Sequence, residues 1–385
     1  MIRIINGSIV KSTEVLSGYD LIIKDNKIED IVLSTDKRFQ DYEIYDAKGG
    51  YITPGFIDIH ADYIEHMAAP RPSTLMDLDL SLHEAERELL THGITTMYHS
   101  LKIKPIRKQE NIRKFVEIIN NTHTKKHLIR HRFHARYEVE NMDLIDELID
   151  YIQAKKVHLV SFMDHTPGQG QYRDLEIFKE TLKGYGKISD EEIEKTIIDS
   201  QSSKKLSLEK IKEISELVKK NNITLASHDD DTIEKIDLVH SYGTEISEFP
   251  ITLDVAKYAS EKGMHTMAGA PNVLQGGSHS ENLCATKGIL EGAINILCSD
   301  YYPPSIIHSV FKLHREFNLP LPYVLNLVTL NPAKAVGIDS EYGSIERGKF
   351  ADLIIIESVG GDFPAVNTAF VNGLIVFNTY YRKNR

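Results

Sequence analysis

Eight short apolar runs, set among helical stretches and polar loops, constrain this chain more than any other feature. They fall at 55–60, 93–100, 128–138, 157–164, 223–228, 245–249, 264–268 and 294–299. Between them lie stretches such as 82–90 and 208–220, where apolar residues recur at helical spacing. Strands that alternate with helices end up parallel, because each return to the sheet needs a crossover. Eight such units suit a (β/α)8 TIM barrel, an α/β fold whose chemistry sits at the C-terminal strand ends. The charged, serine-containing stretch 183–203 reads as an excursion on one barrel loop, with its own helix.

The chain ends have another character. Runs at 2–5, 21–23 and 28–32 are rich in β-branched residues and are separated by Asn6-Gly7 and Asp25-Asn26-Lys27. Runs at 351–356 and 371–377 look the same. Neither end is long enough for a core of its own. The expectation is one small β-sandwich built from both ends, with 1–52 and 345–385 as its parts and 53–344 as the barrel.

Composition narrows the function. A net charge of −11 lacks the basic footprint of a nucleic-acid binder. It leaves room for an anionic small substrate, since metals and a few arginines reverse the sign locally. Two cysteines, Cys284 and Cys298, cannot build a disulfide framework, and no apolar run reaches membrane-spanning length. With no signal-peptide pattern at the start, the expected location is the cytoplasm. Oligomeric state stays open, a homo-oligomer included.

The residues at the strand ends carry the chemistry. Strand one ends in His60-Ala61-Asp62, whose two polar residues share a face at a two-residue period. Glu138 ends strand three, Asp164-His165 follows strand four, His228-Asp229-Asp230 closes strand five, Glu248 lies in strand six and Asp300 follows strand eight. A lone histidine after a strand is more often structural. Structural polar residues, however, have no reason to gather on one rim, so the pattern reads as a metal centre.

Longer blocks lead to a family. Pro54-Gly55-Phe56-Ile57-Asp58-Ile59-His60, the strand-eight aspartate and the sandwich ends resemble the amidohydrolase superfamily. That superfamily usually has His-x-His where this chain has His60-Ala61-Asp62. Several further blocks, in order along the chain, are similar to one branch, the PhnM family. They are Pro70-Arg71-Pro72, Met163-Asp164-His165-Thr166-Pro167-Gly168-Gln169, Ala226-Ser227-His228-Asp229-Asp230, Glu248-Phe249-Pro250-Ile251-Thr252, Gly269-Ala270-Pro271-Asn272, Gly276-Gly277-Ser278-His279-Ser280 and Ser299-Asp300-Tyr301-Tyr302-Pro303. The chain departs at Ser73-Thr74-Leu75-Met76, where the family commonly has a Trp-Pro pair, and at Glu281, where it has glycine.

The resemblance implies a hydrolase that releases diphosphate from α-D-ribose 1-methylphosphonate 5-triphosphate in phosphonate catabolism, the carbon–phosphorus lyase pathway. Metal-activated water would attack the α-phosphorus. Two divalent ions about 3.5–4 Å apart suit such a reaction, with Zn, Mn and Fe all compatible with mixed ligands. On this reading His60, Asp62 and Asp300 hold one ion, His165 and His228 the other, and Glu138 bridges them. His165 is open to a phosphate contact instead, and Asp62 to supporting a ligand. Asp300 doubles as the catalytic proton acceptor. Arg71, Arg173 and Gly276, Gly277, Ser278, His279 and Ser280 are the expected phosphate-binding residues. Arg132 and Arg136 share a strand face with Glu138 and read as barrel pairs or clamps. The alternative is a carbon–nitrogen hydrolase, a cyclic amidase or deaminase, using the same metals.

Overall fold

The computed structural model describes residues 1–71, 74–103, 109–185, 188–277 and 282–381. Eight parallel strands form one sheet in chain order. They are β1 (Phe56–Ala61), β2 (Ile94–Ile103), β3 (Arg130–Glu138), β4 (Leu159–Met163), β5 (Thr224–His228), β6 (Ile246–Glu248), β7 (His265–Gly269) and β8 (Ile296–Cys298). A parallel bridge between Ala61 and Asp300 joins the last strand's end to the first. The architecture is a (β/α)8 barrel with helices between the strands. All six residues of β1 are buried, as expected for a parallel strand covered on both faces.

The expected strands are present within one to three residues of their sequence limits. The helix at 208–220 also matches, with Ser207 accepting the Lys210 N–H as its N-cap. The excursion at 183–203 carries its own helix, Asp190–Ser202, opened by a Ser189/Glu192 capping box, and the helix Leu175–Tyr185 runs into its start. Phe178, Ile193 and Ile197 give these helices a small core of their own.

Two further sheets come from the chain ends, the first from the N-terminal part alone. One has four strands, in the order Lys27–Leu33, Tyr19–Lys24, Ile2–Ile5, Glu43–Asp46. The other has six and pairs Tyr51–Pro54 of the N-terminal part antiparallel with Leu353–Val359 of the C-terminal part. Ile4, Ile9, Leu21, Ile52, Leu353, Ile355 and Phe370 pack into one core, each large side chain contributing about 1.5–3 kcal/mol. Neither part could bury these faces alone. The run expected at 371–377 is broken by a hairpin at Asn372-Gly373, where both residues have positive φ, +52° and +72°. Asn-Gly favours that tight turn, whose twist matches the flanking strands.

The chain divides into two compact units. The first comprises Met1–His99, Ile118–Arg132 and Ile296–Arg385, the second Ser100–Glu117 and Phe133–Asn295. Among the described residues no helix is long and apolar enough to cross a membrane.

Candidate active site

In the first unit, three of the residues expected at the site lie on adjoining strand ends. His60 is the penultimate residue of β1 and is buried. Asp62 follows β1, and Asp300 stands two residues past β8 with φ +59°. The Asp300 N–H donates to the His60 carbonyl and the Asp62 N–H to the Asp300 carbonyl, each at 3.1 Å. Asp62 Oδ1 is buried without a hydrogen-bond partner. Beneath this turn, the buried Asp58 carboxylate accepts the N–H of Ser299 at 3.3 Å to each oxygen and that of His60 at 3.3 Å. Burial pushes Asp58 up to about 6, although these N–H groups favour its anion.

In the second unit, Glu138, His165 and His228 are brought together with Asp229. Glu138 Oε1 accepts from His165 Nδ1 at 2.8 Å. That bond places the proton on Nδ1 and turns Nε2 toward Asp229 Oδ2, 3.5 Å away. His228 Nδ1 lies 2.9 Å from the same oxygen. The two are not aligned as a hydrogen bond, and Asp229 Oδ2 is buried without such a partner. One ligand atom each from His165, His228 and Asp229 lie within 4.8 Å of one another. Two imidazoles and a carboxylate converging on one point are a donor set that fits a divalent transition metal. Asp229 sits at φ +52°, which turns its carboxylate back toward the strand end.

Charge in this group is strongly coupled. Burial alone would lower His165, but Asp229 and Glu138 raise it above the usual histidine range. Asp229 is held well below the usual carboxylate range by His228 and His165, which overcome its burial. Arg136 is buried in β3, donating Nε to Met163 Sδ at 3.2 Å and Nη2 to His228 Nε2 at 3.4 Å. It therefore orients His228.

Asp229 and His134 escaped the sequence reading. Asp229 stood in the strand-five block, but a residue just past a strand has no periodic face. His134 was legible, for the period that aligns Arg132, Arg136 and Glu138 includes it. It is buried, with Nδ1 3.0 Å from Ser100 Oγ and Nε2 2.9 Å from Ser161 Oγ and 3.7 Å from Glu248 Oε1.

Arg71 is exposed, in a turn where its N–H and carbonyl both meet Thr74 Oγ1. Arg173 is exposed just past the short turn Gly170–Tyr172. Gly276 ends the helix Ala270–Gln275 at φ +80°, and both Gly276 and Gly277 N–H groups donate to the Asn272 carbonyl. Ser278, His279 and Ser280 lie outside the described residues.

Residues 51–376 match the Amidohydrolase family. The chain belongs to that family. This amidohydrolase is 31% identical over 358 residues to the alpha-D-ribose 1-methylphosphonate 5-triphosphate diphosphatase of Escherichia coli (strain K12), covering 91% of this chain and 93% of that protein. It is thus a PhnM-like amidohydrolase. It is also 21% identical to a dihydroorotase of Aquifex aeolicus, over 91% of this chain and 88% of the relative. Among solved structures it resembles N-acetylglucosamine-6-phosphate deacetylase from Pasteurella multocida, with TM-score 0.67 and 15% identity over 97% and 98% of the two chains. That likeness carries the fold alone.

Proposed function

We propose that this amidohydrolase releases diphosphate from α-D-ribose 1-methylphosphonate 5-triphosphate by attack of water on the α-phosphorus. The observation that carries the reading is the end-to-end similarity to the Escherichia coli diphosphatase. Two divalent ions of the Zn, Mn or Fe class would supply charge neutralisation at phosphorus and a more acidic water. His60, Asp62 and Asp300 form one ligand group. His165 and His228, joined by Asp229, would hold the other.

The chain's own residues do the rest. Glu138 holds His165 in one tautomer. Asp300 accepts the proton of the attacking water. A bond forms between the water oxygen and the α-phosphorus, and the bond from that phosphorus to the bridging oxygen breaks. Diphosphate leaves with the electron pair. Arg71, Arg173 and the side chains of Ser278, His279 and Ser280 are the phosphate contacts of this reading, since phosphoryl transfer depends on positioning.

The competing reading, a cyclic amidase or deaminase, draws on the weaker dihydroorotase similarity. Turnover of the ribosyl triphosphate in oxygen-18 water separates the two. The expected products are unlabelled diphosphate and a ribosyl 5-phosphate bearing the heavy oxygen, read by phosphorus NMR and mass spectrometry. Labelled diphosphate, orthophosphate as first product, or no turnover by folded, metal-loaded protein would each overturn the proposal.

A further inference from the structure

The left-handed turn that closes β5 is held from behind by two residues that are not themselves ligands. In an extended strand successive carbonyls point away from one another. At the end of β5 the carbonyls of His228 and Asp229 converge instead on one ammonium. Lys235 Nζ donates to the first at 2.9 Å and to the second at 3.1 Å. The φ of +52° at Asp229 turns the two peptide groups to the same side.

The ammonium has three N–H groups, and its third neighbour is Asp230 Oδ1, at an ion-pair distance of 3.4 Å. Asp230 is fully buried. Its Oδ2 accepts from Ser227 Oγ and from Ser247 Oγ, each at 2.6 Å. Those serines stand opposite one another on β5 and β6. Asp230 thus anchors the lysine to two barrel strands, and the whole arrangement lies within the second unit.

Two features tie this bracket to the turn and not to general stability. Lys235 sits in the first turn of the helix Ile233–Ser241, just after the N-cap Thr232. A cation there opposes the helix dipole. A buried carboxylate paired with an ammonium also stabilises a fold no better, as a rule, than apolar residues of the same volume. Both disadvantages fall where a residue other than glycine must be kept in the left-handed region. The flanking backbone is pinned as well, by the Asp229 N–H to the Glu248 carbonyl at 2.9 Å and the Ile251 N–H to the Asp230 carbonyl at 2.8 Å. With the peptide groups on both sides of Asp229 fixed, the direction of its carboxylate is fixed too.

We propose that Lys235 and Asp230 are positioning residues that aim His228 and Asp229 at a shared metal ion. Lys235 clamps the two carbonyls, and Asp230 holds the clamp in place. The inference rests on the reading of His165, His228 and Asp229 as a metal-holding group.

The test reads the ion and not turnover. Full-length protein stripped with chelator is titrated with Zn²⁺ against a fluorescent chelator. A Co²⁺-loaded sample is read by visible absorption, which follows the geometry of the ligands. Lys235→Met is expected to bind one equivalent about 10–100-fold more weakly, the usual effect of losing a partner behind a metal ligand. Its Co²⁺ bands should shift while its circular dichroism stays that of wild type. Asp230→Asn, nearly isosteric, should move both readings in the same direction, and it decides the matter if Lys235→Met does not fold. Lys262→Met removes a different lysine of this unit, paired with Asp237 at 2.8 Å, and should leave both readings unchanged. Wild-type affinity and Co²⁺ bands in the folded variants would overturn the inference, whether or not their denaturation midpoints fall. Unsubstituted protein that binds no ion would overturn the metal reading itself, and this inference with it.

Discussion

Asp62 and Asp300 are joined through their backbones, the Asp62 N–H donating to the Asp300 carbonyl at 3.1 Å while the Asp300 N–H returns to His60 at the same distance. The reciprocal pair ties the first strand's motif to the last strand's aspartate. It needs Asp300 in the left-handed region, at φ +59°. Asparagine tolerates that region nearly as well as aspartate, whereas β-branched residues do not. Asp300→Asn is therefore expected to keep the fold and cut turnover by about 10²–10⁴, the usual contribution of a general base. Circular dichroism and steady-state rates check it. Activity within a few-fold of wild type would place the proton acceptor elsewhere.

Asp229 lies between two histidines in the second unit, and its negative charge is the part of the group that hydrogen bonding does not explain. Asp229→Asn removes that charge at nearly constant volume. The expected result is metal affinity weaker by about 10–100-fold, as for losses around a metal ligand. Competition with a fluorescent chelator measures it. Wild-type affinity in the variant would remove Asp229 from the site.

Asp58 gives a pH signature. Its folded-state value is raised to about 6 by burial, against about 3.9 unfolded. The sign follows from linkage: folding favours the protonated form, so the contribution is fully present below about pH 4 and is lost as pH rises through 6. Asp58→Asn should flatten that fall and, in chelator-treated protein above pH 6, unfold on the order of 2 kcal/mol less readily. Urea titrations of both proteins across pH 4–8 test this. Parallel stability curves would show that Asp58 does not titrate in that range.

Arg3 and Asp20 form a buried pair in the sandwich, with Arg3 Nε donating to Asp20 Oδ2 at 2.7 Å and Ser34 Oγ to Oδ1 at 2.6 Å. Asp20→Ala leaves the buried guanidinium without its counter-charge, with the Asp36 and Ser34 carbonyls as its remaining acceptors. A loss of about 3–5 kcal/mol is expected, read as a lower denaturation midpoint. A change under 1 kcal/mol would mean that the arginine finds solvent or other partners.

The sequence by itself determined the strand count, the barrel and the union of the two ends. Those features are local: apolar periodicity, turn residues such as Asn6-Gly7, and polar residues placed just past a run. The Asn372-Gly373 turn was equally local, but its flanking apolar residues masked it. Only the tertiary structure decided which polar groups meet. Glu138 and His165 are 27 residues apart, and Glu86 and His127 are 41 apart. Pairing at such distances depends on which helix packs on which strand and at what register, and no window along the chain records that. Asp229 came into view for the same reason, because a left-handed residue past a strand aims its side chain by backbone torsion, not by the period that makes a strand legible.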